Sequence, residues 1–365
     1  MVVIILNSSN TTYWIPAYSL NDTVYHSYLF YIFAFVQISI YIFTGYLTVR
    51  TCFIFFRIKV FHENMNILMA WFLCQWFEAI LAKCVVTPYQ IGLISIVMDP
   101  EKVYYDWWAE DKEDLVPIRE NAKILPLLVS SYFIWHYLYS ILFSVLAIGL
   151  ERVAATYYIQ DYENVRRRHI PVLLIIATNC ISIPYAFETL NNQVSLILTC
   201  IQSFMNGAII FFGYLVLWRV NIVWRDRISS LKWSHNEKYS LARKFQIEEN
   251  IKSLRLARKL VISAVIFISV VIVLLICLGF ELTHGYDTFF VYALDNAIFL
   301  PALVMCMTLL CCSPSWKEKF LNGIPRFRRR FPNSKISHLQ VVRETKSSAV
   351  KETEVYFEQL KNAWT

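Results

Sequence analysis

Seven apolar stretches, each about as long as a bilayer is thick, constrain this chain more than any other feature. A hydrocarbon core of about 30 Å needs about 20 predominantly apolar residues per helix. The stretches are Ser27–Val49, Met65–Lys83, Ile124–Ile148, Ile170–Phe187, Val194–Trp218, Leu260–Phe280 and Thr288–Cys312. Gln90–Met98 is also apolar but too short to span, and reads as loop or as an interfacial segment. With 57% hydrophobic and only 17% charged residues, the charges bunched between the stretches, an ordinary soluble domain is excluded. Helices satisfy their own backbone groups in lipid. The expected fold is therefore an all-α membrane protein, a seven-transmembrane helix bundle.

Two independent signals orient it. The N-glycosylation sequons Asn7-Ser8-Ser9, Asn10-Thr11-Thr12 and Asn21-Asp22-Thr23 all precede the first stretch, which places the N-terminus outside the cell. Of the 34 Lys and Arg, 29 fall in the three loops and the tail that this orientation makes cytoplasmic. The other five, Lys83, Lys102, Lys112, Arg119 and Lys123, lie in or beside the long acidic first outer loop. An extracellular N-terminus and a cytoplasmic C-terminus follow. Residues 1–26 form a glycosylated extracellular segment, 27–312 the membrane domain and 313–365 the cytoplasmic tail. Val2–Leu6 is too short for a signal-peptide core and lacks a basic flank, so the first stretch acts as its own insertion signal. The net charge of +7 faces the anionic inner leaflet and does not imply a nucleic-acid partner.

Cysteine is informative by position. Most of the nine Cys lie in or beside apolar stretches, where the residue behaves as a small hydrophobe. None stands at the outer end of the third stretch, so a disulfide from there to the second outer loop is excluded. Cys311 and Cys312 close the last stretch at the cytoplasmic face and are palmitoylation candidates, or simply the apolar end of a helix. Pro314 breaks that helix, and Trp316, Phe320 and Leu321 alternate with Lys317 and Lys319 as in an amphipathic helix lying on a leaflet. In the first outer loop Tyr104, Tyr105, Trp107 and Trp108 suit the membrane interface or a lid over the bundle.

Ionisable groups within spans are costly and face the bundle interior. Glu78, His136 and Asp295 are such groups, and Tyr132, Trp135 and Tyr139 share the third stretch with His136. A pocket among the outer halves of the helices is the default small-ligand site. Trp135, His136, Tyr139 and Asp295 are the candidates to line it. Packing with one satisfied hydrogen bond accounts equally for His136 and the aromatics.

The inner ends carry sharper signals. Glu151 and Arg152 end the third stretch, where a charge pair at the membrane boundary can hold one helix packing and release Arg152 in another. An Arg snorkelling at a helix end is the simpler alternative. Residues 243–259 contain no Pro or Gly and should run helically into the sixth stretch, with Glu248 four residues before Lys252. Lys252, Arg255 and Lys259 then share a basic face suited to anionic lipid or to an acidic partner surface.

Two segments carry a family likeness. Glu151-Arg152-Val153-Ala154-Ala155-Thr156-Tyr157-Tyr158, continuing to Asn164, resembles the second inner loop of the nematode class epsilon serpentine receptors, the Sre family. Phe245-Gln246-Ile247-Glu248-Glu249-Asn250 resembles the Phe-Gln-X-X-Glu-Asn element that this family places before its sixth span. His62-Glu63-Asn64 and the long acidic outer loop fit as well, and the likeness extends from Tyr25 to about Phe320. The resemblance implies a chemosensory G-protein-coupled receptor of the plasma membrane of sensory neurons, with a small environmental or pheromonal ligand and a heterotrimeric G protein as partner. It assigns Glu151, Arg152, Phe245, Gln246, Glu249 and Asn250, with Arg255 and Lys259, to coupling. The chain lacks Asn-Pro-X-X-Tyr in the seventh stretch and Cys-Trp-X-Pro in the sixth, so rhodopsin-like activation details do not carry over.

Other classes find less support. The seven His are scattered, no Cys-X-X-Cys, Gly-X-Ser-X-Gly or phosphate loop occurs, and no metal or cofactor is expected. A ligand-gated channel or transporter remains the second reading. Transporters commonly carry internal repeats, and the two halves show none.

Overall fold

A computed structural model of the chain describes residues 3–6, 11–17, 19–57, 63–99, 115–119, 122–158, 167–194, 196–229, 286–312 and 314–322, with short helical runs between 247 and 277. Five long helices account for the first five stretches: α1 (Tyr28–Arg57), α2 (Glu63–Gln90), α3 (Leu125–Tyr157), α4 (His169–Leu190) and α5 (Leu196–Ser229). All five contain a segment long and apolar enough to cross a membrane. The seventh stretch is a bent pair, α6 (Asp287–Ala297) and α7 (Pro301–Cys312), whose axes differ by 54°. Counting the bent pair as one gives up to six spans among the described residues. The expected sixth span, Leu260–Phe280, lies partly outside them.

Several helices overrun their apolar windows at the inner end, the one expected to face the cytoplasm, the opposite end being the outer. After Val49 and after Trp218 no Pro or Gly intervenes, so α1 continues through the apolar Cys52–Phe56 to Arg57, and α5 continues to Ser229 as its side chains turn more polar. At the outer end α2 runs past Lys83 to Gln90, which moves Lys83 from a loop boundary into a helix. The bend in the seventh stretch follows from Pro301. It has no N–H for the Ala297 carbonyl, and the chain instead turns through Phe299 and Leu300 before Pro301 opens α7.

α2 and α3 form the centre of the bundle, with α1, α4 and α5 packed around them. α1 is apolar all the way round and exposes Phe35, Ile42 and Phe56, as a lipid-facing helix does. The centre is mixed: Leu68, Met69 and Tyr137 are fully buried beside Thr48, Ser140 and Ser182.

A small sheet closes the outer end. β1 (Val3–Leu6) pairs antiparallel with β2 (Thr11–Trp14) and parallel with β3 (Val116–Ile118), in the order β2-β1-β3. Val97 makes a further bridge to Ile118. Val3, Trp14 and Leu115 form one apolar cluster with Trp135, Tyr139 and Leu190 of the helices. The N-terminal residues thus dock on the bundle and do not stand apart from it. Below the sheet, Asn21 and Asp22 donate backbone N–H groups to the carbonyls of Tyr89 and Gln90, at 3.4 and 3.1 Å. His26 Nε2 donates to the Ile91 carbonyl at 2.9 Å. Gly92 lies at φ 77°, and a Cβ there would come within 2.8 Å of Asn21 Oδ1, so only glycine fits.

Residues 314–365 form a separate compact unit. Its described part is α8 (Pro314–Asn322), which starts on proline and exposes Lys317 and Glu318. The aromatic residues Tyr104, Tyr105, Trp107 and Trp108 lie outside the described residues, as does the rest of the tail.

Candidate functional site

The four outer-half candidates separate into three environments. Trp135 donates its indole N–H to the Trp14 carbonyl at 2.9 Å, and the two indoles lie 5.1 Å apart. Tyr139 pairs its hydroxyl with Thr189 Oγ1 at 2.7 Å and packs on Tyr185. Both therefore belong to the core beneath the sheet. There they hold the cap to α3 and α4.

His136 sits in a polar network across three helices. Its Nδ1 lies 2.7 Å from Glu78 Oε1 on α2, and its Nε2 lies 3.2 Å from Asn179 Oδ1 on α4. Ser140 Oγ is 3.3 Å from the same Nε2 and donates to Ser182. Tyr132 stacks on the imidazole with centroids 6.5 Å apart. Both ring nitrogens face acceptors, so the ring is held by its neighbours on every side.

Asp295 is the ion-pair partner of Lys83, and each side chain is at least nine-tenths buried. Lys83 Nζ also donates to Gln90 Oε1 at 2.7 Å and lies 5.7 Å from the centre of the Phe299 ring. Asp295 Oδ1 has no hydrogen-bond partner among the described residues. One turn away, Tyr292 donates to Gln37 Oε1 at 2.6 Å, and Tyr41 donates to Asn296 Oδ1 at the same distance. Gln37 Nε2 donates to Tyr41 at 3.1 Å and closes the chain. Trp76 Nε1 reaches the Phe299 carbonyl at 2.9 Å, giving the broken helix a partner where its own ladder stops. Above this cluster Tyr25 lies in the 3-10 turn Thr23–His26. Burial first, and then the negative charge of Asp295, push its phenol up, so the carboxylate field reaches the turn.

The structure thus links α1, α2 and α6 around Asp295, and α2, α3 and α4 around His136. Lys83 was missed by sequence reasoning because it ends an apolar window next to a charged loop. A signal existed: an acidic residue inside a span calls for a cation at the same depth.

At the inner end the expected residues converge. Arg152 places Nε and Nη2 on the two oxygens of Glu151, at 2.5 and 2.6 Å, and Nη1 3.4 Å from Asn250 Oδ1. Asn250 Nδ2 reaches Thr156 Oγ1 at 3.4 Å, and Asn221 Nδ2 of α5 reaches the same hydroxyl at 3.3 Å. Thr156 donates to the Arg152 carbonyl at 2.9 Å. Glu151, Arg152, Asn221 and Asn250 are all buried. Beside them Ile247 and Ile251 pack against Trp224. Thr156 and Asn221 are additions that sequence reasoning did not name. Arg255 and Lys259 are exposed, whereas Phe245, Gln246 and Glu249 lie outside the described residues.

Among the modification candidates, Asn7 and Asn10 lie outside the described residues. Asn21 is buried in the left-handed conformation at φ 60°, against Gly92. A glycan on its amide requires this residue to leave its seat. Cys311 is exposed, and the side chain of Cys312 is outside the described residues. No cluster of metal-ligating side chains occurs among the described residues.

A family model described as Sre G protein-coupled chemoreceptor matches residues 1–365. Serpentine receptor class epsilon-37 of Caenorhabditis elegans is 62% identical over 364 residues, covering 100% of both chains. Serpentine receptor class epsilon-38 of the same organism is 37% identical and covers 98% of this chain and 99% of its own. Serpentine receptor class epsilon-27, also from Caenorhabditis elegans, is 27% identical over 98% of each. No solved structure matches.

Proposed function

The chain belongs to the Sre G protein-coupled chemoreceptor family, and from that premise we propose that it is a plasma-membrane receptor of chemosensory cells. It binds a small environmental or pheromonal molecule among the outer halves of its helices and activates a heterotrimeric G protein at its inner face. The N-terminus faces outward, with glycans on the sequon segment, and the tail faces the cytoplasm.

The observation that carries this reading is the buried network of Glu151, Arg152, Thr156, Asn221 and Asn250. It ties α3, α5 and the segment before the sixth span at one point on the inner end. Such a knot of charge and amides is stabilised when closed by the bonds its members make to one another, although Asn221 Oδ1 has no partner among the described residues. Opened, it presents Arg152 to the cytoplasm, where a Gα subunit can satisfy it. A ligand that favours the open packing raises Gα affinity, and Gα raises ligand affinity by the same factor. Arg255 and Lys259 extend the same inner face with exposed positive charge. Cys311, and Cys312 beside it, suit acylation next to the membrane.

The test is Gα nucleotide exchange in membranes carrying the chain, stimulated by extracts of the animal's surroundings. Extract-driven exchange that Arg152→Ala abolishes supports the reading. Absence of exchange with every Gα tested, from protein that reaches the cell surface, overturns it in favour of a channel, and conductance becomes the quantity to record.

A further inference from the structure

The Asp295 carboxylate is half used. One oxygen binds the Lys83 ammonium, while Oδ1 is buried without a hydrogen-bond partner among the described residues. The carboxylate side chain is only 7% exposed, so bulk water does not supply the missing donor. Around it stand aromatic rings from three elements. Tyr25 lies 6.1 Å from Tyr292 between ring centres, Phe30 lies 5.6 Å from Tyr292, and Phe299 lies under Lys83.

Charge decides what such a site accepts. Lys83 and Asp295 already neutralise each other. An ammonium donor would leave one net positive charge in a buried space, and a carboxylate ligand would add a second negative charge beside Asp295. An uncharged hydroxyl gives Oδ1 its donor without either cost. The aromatic rings suit an apolar body attached to that hydroxyl.

We propose that the cluster of Lys83, Asp295, Tyr25 and Tyr292 is the ligand site, and that it takes small alcohols, the hydroxyl donating to Asp295 Oδ1. This rests on the reading of the chain as a ligand-binding receptor and names the ligand class for it. Lys83 is a positioning residue that holds the carboxylate and its charge.

The test uses the full chain in lipid nanodiscs and four probes of matched length: octan-1-ol, 1-methoxyheptane, octylammonium and octanoate. The ether partitions into lipid much like the alcohol but donates no hydrogen bond. Octan-1-ol should raise the unfolding temperature by several degrees more than the ether, and the charged probes should not exceed the ether. Lys83→Met/Asp295→Leu removes both charges together and leaves no buried ion unpaired, so it should fold. In it the alcohol and the ether should act alike. Equal shifts in the wild type, a larger shift with either charged probe, or an alcohol preference that survives the double substitution overturns the proposal. If the double variant cannot be purified, the infrared carboxylate band of the wild type decides. It should move with octan-1-ol and not with the ether, and an unmoved band sinks the idea. Nucleotide exchange is read separately. Extract-driven exchange without alcohol selectivity counts against this site alone, and alcohol binding without any exchange counts against the receptor reading alone.

Discussion

Trp135 of α3 donates its indole N–H to the backbone of Trp14, so a residue near the start of the chain is held by the third helix. This contact, with the rings 5.1 Å apart, fastens the outer sheet to the bundle. Trp135→Phe keeps the ring contact but leaves the Trp14 carbonyl without this donor, a loss of about 1 kcal/mol. Hydrogen exchange of residues 3–6 and 11–14 should quicken several-fold while that of α2 stays unchanged. Equal protection in both proteins would show that the bond does not hold the cap.

Asp22 caps the 3-10 turn by accepting from the Val24 N–H at 3.0 Å, yet its other oxygen is buried without a partner among the described residues. Burial pushes this carboxyl above its usual range, and the Val24 bond only partly opposes it. A raised acid contributes stability that is complete below its unfolded value of about 4 and is lost as the pH climbs through the folded value. Asp22→Asn keeps the cap and drops the charge. The variant should unfold at a higher temperature than the wild type at pH 7, and the gap should close near pH 4. A gap that widens on acidification would reverse the sign and refute the argument.

The three sequons are not equivalent. Asn21 is seated against Gly92, whereas Asn7 and Asn10 lie outside the described residues. Apparent mass on electrophoresis should be unchanged by Asn21→Gln and should drop to that of the deglycosylated chain in Asn7→Gln/Asn10→Gln. A glycosidase-sensitive step that Asn21→Gln removes would show that this residue leaves its seat in the mature protein.

At the inner end, Thr156 accepts from two asparagines and donates to the helix beneath it. Thr156→Val preserves shape and removes the shared acceptor, so α5 loses this bond to α3 and the segment before the sixth span keeps only the Arg152–Asn250 bond. Basal Gα nucleotide exchange should rise severalfold without added extract. Unchanged basal exchange from an equal amount of surface protein would mean that this network does not restrain the inner face.

Glu78 and His136 lie 2.7 Å apart with Glu78 about a quarter exposed. A double-mutant cycle with Glu78→Gln and His136→Asn should return a coupling of about 1–2 kcal/mol in unfolding free energy. Additivity within error would reduce the pair to a geometric neighbourhood.

How much of this was legible in the sequence depends on the range of the interaction. Membrane helices announce themselves because lipid demands about 20 apolar residues in a row. Their inner ends do not, since nothing in Arg50–Arg57 or Arg219–Ser229 breaks a helix once it has begun. Glu151 and Arg152 were readable as a pair because they are adjacent. Lys83 and Asp295 were not, because 212 residues separate them and each looked explicable alone. The outer sheet was invisible for another reason. Strands of three and four residues are too short to display an alternation. The contact of Trp135 and Tyr139 with that sheet was out of sight for the same reason.

The order of strands in that sheet also sets a timetable for biosynthesis. β1 precedes α1 in the chain, but its parallel partner β3 is made only after α1 and α2. Until then Val3, Ile4 and Ile5 have at most a hairpin for company. A nascent chain stalled before Val116 therefore keeps an apolar tip without its third strand, and Val3 is covered fully only once Leu115, Trp135 and Tyr139 are in place. Closure of the sheet thus waits on the making of α1, α2 and the segment that follows them.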